Sequence, residues 1–377
     1  MMIYLDNAAT SFPKPESVYR RIDEVLREKG GNPGKASHTL AIEASRVVFR
    51  ARESLALLMG VPDSSRIIFT KNATEAINIA LKGLLKPGDH LVTSTFEHNA
   101  VARCVLRLER SGVEATRVPP DKEGLLSPAS IGAAMRRNTR MVVISHASNV
   151  FGAIQPLEEI GKICKAKGVM FMTDAAQTMG AMPLDVRGMG VNILAATGHK
   201  ALFGPQGTGF LYVEEGIEPE PLVDGGSGGE GAHAAELPER LEAGTLNTPG
   251  IGGLGAGVEF LLSEKLPKIK AREEELVAMV LKGLSGMERV SLIGPRDASR
   301  RAALVSFNIE GVSPSEAGLR LDQEFGIMAR CGTHCAPEAH RQAGTWPEGS
   351  IRVSPGYFTA EGEIEALIRA VKKLASK

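Results

Sequence analysis

The sequence predicts an α/β fold: a large, parallel-rich sheet with helices on both faces, and a smaller α+β unit after it. Three observations carry this. Short apolar runs alternate with helical periods over residues 61–213. These runs stay apolar on both sides of the strand alternation, as in Met141-Val142-Val143-Ile144, which is how a parallel strand buried on both faces reads. After Pro249 long helical patterns with isolated strands take over, which marks a second unit.

Each element has its own signal. Strands are expected at 66–70, 90–94, 141–146, 169–173, 192–195 and 207–213, with helices at 74–86, 100–112, 127–137 and 157–167 between the earlier ones. A helix at 40–59 is stopped by Gly60 and Pro62. Beyond Pro249 come one long helix over 253–284, a strand at 303–309, a helix at 313–325, a strand at 350–353 and a helix at 360–375. The boundaries expected are 13–249 for the large unit, and 1–12 with 250–377 for the small one.

Composition excludes several classes. Lys plus Arg and Asp plus Glu number 44 each in 377 residues, so no basic excess points to nucleic acid or an anionic membrane. The densest charge patch, 265–275, alternates in sign and reads as a solvated helix face. Four cysteines make no disulfide framework in a chain this long, and Cys104 and Cys164 read as small buried hydrophobes. Residues 1–5 are too short for a signal h-region, and no apolar run approaches the roughly 18 residues of a membrane span. A reducing cytoplasm is the expected location.

Three motifs mislead. Gly250-Ile251-Gly252-Gly253-Leu254-Gly255 has dinucleotide-binding spacing but follows Asn247-Thr248-Pro249, not a strand. Close helix packing explains these glycines better. Gly225-Gly226-Ser227-Gly228-Gly229 has nucleophile-elbow spacing, but the glycines simply continue, and 224–231 reads as a mobile loop. Cys331, His334, Cys335 and His340 lack the paired spacing of a structural zinc site, so no metal is expected.

The chemistry lies at the strand ends, where open α/β sheets bind ligands. Lys200 follows the strand at 192–195, and Asp174 ends the strand at 169–173. Ala73 and Thr74 open the helix after the strand at 66–70, and His98 follows the strand at 90–94. Pyridoxal 5'-phosphate (PLP) asks for this set. It needs a lysine for the imine and a carboxylate to hold the pyridine nitrogen protonated. It also needs helix N–H groups and a hydroxyl for its phosphate, and a flat ring to stack on it. Gln177, three residues after Asp174, suits the ring's phenolate oxygen. An isolated strand-end Asp is often only a helix cap, and an isolated His only structural; four strand ends carrying the right groups make coincidence a poor account.

The chain also resembles the class V aminotransferase family, in its cysteine desulfurase and selenocysteine lyase branch. The similarity runs through Tyr4-Leu5-Asp6-Asn7-Ala8-Ala9-Thr10, Asn72-Ala73-Thr74-Glu75, Glu97-His98-Asn99, Ser148-Asn149-Val150-Phe151-Gly152, Asp174-Ala175-Ala176-Gln177 and Thr197-Gly198-His199-Lys200. It closes with Glu242-Ala243-Gly244-Thr245-Leu246-Asn247-Thr248, Arg330-Cys331-Gly332-Thr333-His334-Cys335-Ala336 and Arg352.

The resemblance implies fold type I of the PLP-dependent transferases, with Lys200 carrying the cofactor. It implies Asp174 at the pyridine nitrogen, Gln177 at the phenolate, His98 stacking and moving protons, and Ala73, Thr74, Thr197 and His199 at the phosphate. Gly244 and Thr245 would reach the phosphate of a second subunit, making a homodimer. Asn149, Arg330 and Arg352 would bind the substrate, L-cysteine or L-selenocysteine. Cys335 would take the sulfur as a persulfide for an acceptor protein, its thiolate favoured by His334 and Arg330. The loop resembles the group with a short nucleophile loop, yet has Cys331 and Thr333 where that group usually has Thr and His. Cys331 is most simply a buried neutral thiol. The alternatives are a selenocysteine lyase that does not need Cys335, another class V aminotransferase, or a non-catalytic sulfur carrier.

Overall fold

The computed structural model describes residues 2–34, 36–225 and 236–376. The chain opens with strand β1 (Ile3–Tyr4) and helices α1 (Glu16–Glu28) and α2 (Thr39–Met59). Strand and helix then alternate through β2 (Ile67–Thr70), α3 (Ala73–Leu84), β3 (His90–Ser94), α4 (Asn99–Glu109), β4 (Glu114–Val118), α5 (Pro128–Ala134), β5 (Thr139–Ser145), α6 (Leu157–Lys167), β6 (Met170–Asp174), β7 (Ile193–Thr197) and β8 (Gly209–Val213). Helices α7 (Thr248–Glu264) and α8 (Leu266–Ser285) follow. The remainder is β9 (Val290–Ile293), β10 (Val305–Ile309), α9 (Pro314–Phe325), β11 (Ile327–Met328), β12 (Arg330–Gly332), α10 (Pro337–Gln342), β13 (Ser350–Val353) and α11 (Glu361–Ala375).

The large sheet has the order β2-β8-β7-β6-β5-β3-β4. Its neighbours are parallel except at β8, which runs antiparallel to both β2 and β7. The doubly apolar strands are doubly buried. Val142 and Ile144 of β5 join the core on one face, and Met141 and Val143 join the core on the other. No helix among the described residues is long and apolar enough to cross a membrane.

The second sheet, β12-β13-β10-β9, is antiparallel and shares a core with α8, α9 and α11. The N-terminal segment belongs to this region: β1 pairs with β11, and Asp6 bridges to Ser354.

Several expectations are corrected. The stretch 253–284 is not one helix but breaks at Lys265, whose φ is +68°, with Pro267 opening α8. Helix α7 packs on α1 and α2, and its Ile251, Leu254, Val258 and Leu261 join the core of the large sheet. The sequence assigns residues from 250 onward, and with them this helix, to the small unit. Its glycines serve close approach: a Cβ on Gly253 would lie 2.7 Å from Ile22 Cγ1. The patch 265–275 is a solvated face only in part. Arg272 pairs with Glu275 at 2.7 Å on the surface, but Glu273 is buried. In the glycine-rich stretch 224–231, residues from 226 onward lie outside the described residues.

Candidate active site

The C-terminal ends of β2, β3, β5, β6 and β7 open on one cavity of ≈ 220 Å³, with β12 and β13 across from them. Of the residues singled out in the sequence, Ala73, Thr74, His98, Asn149, Asp174, Gln177, Thr197, His199, Lys200, Arg330 and Arg352 all line it. Cys335, Gly244 and Thr245 are not part of the lining.

On the β2 side, Asn72 caps α3 by accepting from Glu75 N–H at 3.0 Å. The N–H groups of the first helical turn have no partner within a helix, so this terminus suits an anion. Gly209 of β8 permits the approach: a Cβ there would lie 2.7 Å from Asn72 Cα. Opposite, Thr197 Oγ1 and His199 Nδ1 are buried without a hydrogen-bond partner among the described residues. Buried polar atoms are rarely left so, and a phosphate would satisfy both.

Lys200 is half-buried, and its ammonium is pushed down to about 8. Burial is the main cause, Asp174 opposes it, and Arg352 and Arg330 reinforce it. Asp174 is the last residue of β6, and its Oδ1 accepts from Ala176 N–H at 2.9 Å. Burial raises its carboxyl, while that hydrogen bond and Lys200 pull it back toward ionisation. Gln177 Nε2 donates to Ala8 O at 3.2 Å.

His98 caps α4, its Nδ1 accepting from Ala100 N–H at 3.1 Å. A ring nitrogen that accepts carries no proton, so the neutral ring holds its proton on Nε2. Burial, then Lys200, Arg330 and Arg352, push this imidazole down to about 4, so it is neutral at pH 7. Beneath it, Glu97 accepts from the hydroxyls of Ser94 and Ser145, each at 2.5 Å. This carboxyl, pushed up to about 7 chiefly by burial, ties the ends of β3 and β5 together and fixes the segment that carries His98.

The other wall is cationic. Arg330 and Arg352 stand opposite each other in the β12–β13 register. Like charges placed this way repel unless an anion lies between or beside them. Arg352 is anchored by Asp6, with Nη2 3.1 Å from Oδ1, and by Asn149 O at 3.2 Å. Asn149 Nδ2 in turn donates to His334 O at 2.5 Å.

Cys335 sits at the edge of the cavity in an exposed position. It and His334 are left-handed, with φ of 60° and 48°, a conformation that costs a non-glycine residue about 1–3 kcal/mol and clusters at functional sites. Asn99 N–H holds Cys335 O at 2.8 Å, so the loop is docked beside His98. Arg330 Nη2 donates to Cys335 Sγ at 3.3 Å. The expectation that His334 also supplies charge is not met. Its ring is buried, bonds Ser350 Oγ through Nε2 at 3.1 Å, and is held neutral by burial and by Arg352. Cys331 packs its sulfur against Gly318 of α9, and burial pushes its thiol up to about 11. Cys104 and Cys164 are buried.

Gly244 and Thr245 are exposed and stand away from the cavity of their own chain. Their segment is anchored through Glu242, which accepts from Arg52 of α2 at 2.9 and 3.1 Å and from Phe69 N–H at 2.6 Å.

Sequence reasoning passed over the roles of Asp6, Ala8 and Glu97. Each lies inside a motif quoted above, but each acts through a contact distant in sequence that no spacing reveals.

A half-buried lysine beside a strand-end aspartate, a helix N-terminus with orphaned hydroxyl and imidazole atoms, and a neutral imidazole fit PLP. The fold and site define a PLP-dependent enzyme of fold type I. The profile of the family described as Aminotransferase class-V matches residues 3–367, and the chain belongs to that family. A "Probable cysteine desulfurase" of Methanothermobacter thermautotrophicus is 34% identical over 99% of this chain and 94% of its own length. "Cysteine desulfurase IscS" of Glaesserella parasuis is 35% identical over 100% of this chain and 93% of its own length. Among solved structures, the apo cysteine desulfurase from Thermococcus onnurineus superposes with a TM-score of 0.93 at 33% identity, covering 100% of this chain and 95% of that one.

Proposed function

We propose that this chain is a PLP-dependent cysteine desulfurase that converts L-cysteine to L-alanine and keeps the sulfur as a persulfide on Cys335, for delivery to an acceptor protein. One observation carries the reading: an exposed thiol, on a left-handed loop at the mouth of the PLP cavity, accepts a hydrogen bond from Arg330.

The bound cofactor supplies an electron sink for charge developing at the substrate's Cα. The chain supplies the rest. Lys200 carries the cofactor, and Asp174 keeps its pyridine nitrogen protonated. Gln177 donates to its phenolate oxygen. Ala73 and Thr74, with Thr197 and His199, hold the phosphate, and His98 covers the ring. Arg352, with Arg330 and Asn149, takes the substrate carboxylate in a guanidinium fork. Lys200, whose ammonium is pushed down to about 8 so that part of it is the free amine near neutral pH, and the Nε2 side of His98 are placed to move the Cα proton.

The Cys335 thiolate attacks the substrate sulfur. The new S–S bond forms as the carbon–sulfur bond breaks, its electron pair stays on carbon, and a proton restores alanine. L-cysteine plus the enzyme thiol thus gives L-alanine plus the enzyme persulfide.

A homodimer follows if Gly244 and Thr245 complete the phosphate site of a second copy. The exposed Ile42, Phe49 and Leu57 of α2, the helix tied to that segment through Arg52 and Glu242, supply an apolar surface for it. A free, exposed thiol at Cys335 suits a reducing compartment, the cytoplasm.

The test is single-turnover chemistry of the PLP-loaded protein with L-cysteine and, separately, L-selenocysteine, with alanine assayed and sulfur mapped by mass spectrometry. Alanine from cysteine with one added sulfur on Cys335, lost in Cys335→Ser while the cofactor absorbance stays, supports the reading. Alanine from selenocysteine alone, undiminished in Cys335→Ala, replaces it with a selenocysteine lyase.

A further inference from the structure

Glu273 is a buried acid that the chemistry above does not use. It lies on the core face of α8 with Ile269, Leu276, Val277 and Val280, where helical periodicity calls for an apolar side chain. It makes no hydrogen bond or ion pair among the described residues. Burial alone pushes its carboxyl up to about 8, so it is chiefly a neutral acid at pH 7.

Such a group still needs hydrogen-bond partners, and the surrounding space provides for them. Glu273 lines two small cavities, of ≈ 30 Å³ and ≈ 20 Å³, and Gln177, Ala181 and Ala303 line both with it. The larger has room for roughly two water molecules, and its wall includes Ala8, Gln177 and Lys200, which also line the cofactor cavity. The charged groups around these spaces are Lys200 on one side, and Lys270, Glu274 and Arg301 on the other. Arg301 is occupied by the carbonyls of Leu304, Pro295 and Ile293.

We propose that Glu273 is a positioning residue for the cofactor: its acid proton, relayed through water in the ≈ 30 Å³ cavity, binds Gln177 Oε1 and fixes the orientation of that amide. A primary amide has two N–H donors and an acceptor oxygen. One N–H of Gln177 goes to Ala8 O, the second is left for the cofactor's phenolate oxygen, and Oε1 faces the water. The proposal rests on the reading of Gln177 as the donor to that oxygen.

The test is a pH titration of the cofactor absorbance in the holoenzyme. A donor to the phenolate oxygen stabilises its negative charge, and so disfavours the proton shared between that oxygen and the Lys200 nitrogen. Loosening the donor raises the titration midpoint. Glu273→Met, apolar and of similar length, is expected to raise it by about one pH unit, a tenfold change in the proton equilibrium. Glu273→Gln, which still donates, is expected to stay close to wild type. A midpoint unmoved in Glu273→Met, with only the melting temperature altered, overturns the proposal. Gln177→Leu separates the layers: if it moves the midpoint and Glu273→Met does not, the inference falls and the reading of Gln177 stands; if neither does, both fall. Should Glu273→Met not fold, a high-resolution crystal structure of the wild-type holoenzyme decides, since a dry cavity between Glu273 and Gln177 is incompatible with the relay.

Discussion

Arg330 donates to Cys335 Sγ at 3.3 Å while standing directly across the β12–β13 pair from Arg352. Under the proposed function one guanidinium would serve both partners of the sulfur transfer, the Cys335 sulfur that receives and the carboxylate of the amino acid that gives. Nucleophile and substrate would then be held to a common frame.

That contact sets the first expectation. Arg330→Met should slow alkylation of Cys335 by iodoacetamide at pH 7 by about fivefold to tenfold, the scale of one partly exposed charge-assisted hydrogen bond. Peptide mass spectrometry reads the rate, with the half-buried Cys331, whose thiol is pushed up to about 11, as internal control. An unchanged rate means that the contact does not activate the thiol.

Asp6 is the carboxylate bonded to the buried guanidinium of Arg352. Asp6→Ala removes it and leaves an uncompensated buried charge. The expected result is a KM for L-cysteine raised by about tenfold, worth ~1.4 kcal/mol, with kcat changed much less, because the effect falls on the grip and not on the chemistry. Steady-state kinetics would show it; a loss confined to kcat would place Asp6 elsewhere in the mechanism.

The depressed ammonium of Lys200 gives a pH dependence. Only the neutral amine condenses with an aldehyde, so PLP uptake by the apoprotein should climb about tenfold per pH unit below 8 and level off above it. An ordinary lysine would keep the rate climbing to roughly pH 10. Asp174 raises the Lys200 value, so Asp174→Asn should move the bend to lower pH. Stopped-flow absorbance of cofactor binding measures both; a rate still rising at pH 9.5 in wild type contradicts the burial argument.

The cofactor side of the site was legible because each contributor sits at the end of its own strand. A parallel sheet collects those ends at one edge, so Thr74, His98, Asp174 and Lys200 meet once the strands are recognised. The reversal of β8 was not legible, since a doubly buried strand reads the same in either direction. Strand β4 escaped because Glu114–Val118 is half exposed and polar, and α1 escaped although Val18 and Val25 mark its buried face. The break at Lys265 carried a readable sign in Pro267. Glu273 could not be read at all: among alternating charges it looks like its solvated neighbours, and only the packing of α8 shows which way it faces. His334 misled for the same reason, because adjacency in sequence says nothing of a ring turned toward Ser350.

The pairing of Asp6 with Arg352 spans 346 residues, and it orders events on the ribosome. Translation at roughly 5–20 residues per second separates the two by about half a minute. Lys200 and every strand end proposed to hold the cofactor precede β8, which closes at Val213. If those strand ends hold PLP as proposed, the chain has synthesised its own cofactor-side residues well before Arg352, so the substrate clamp is the last part of the site to be made.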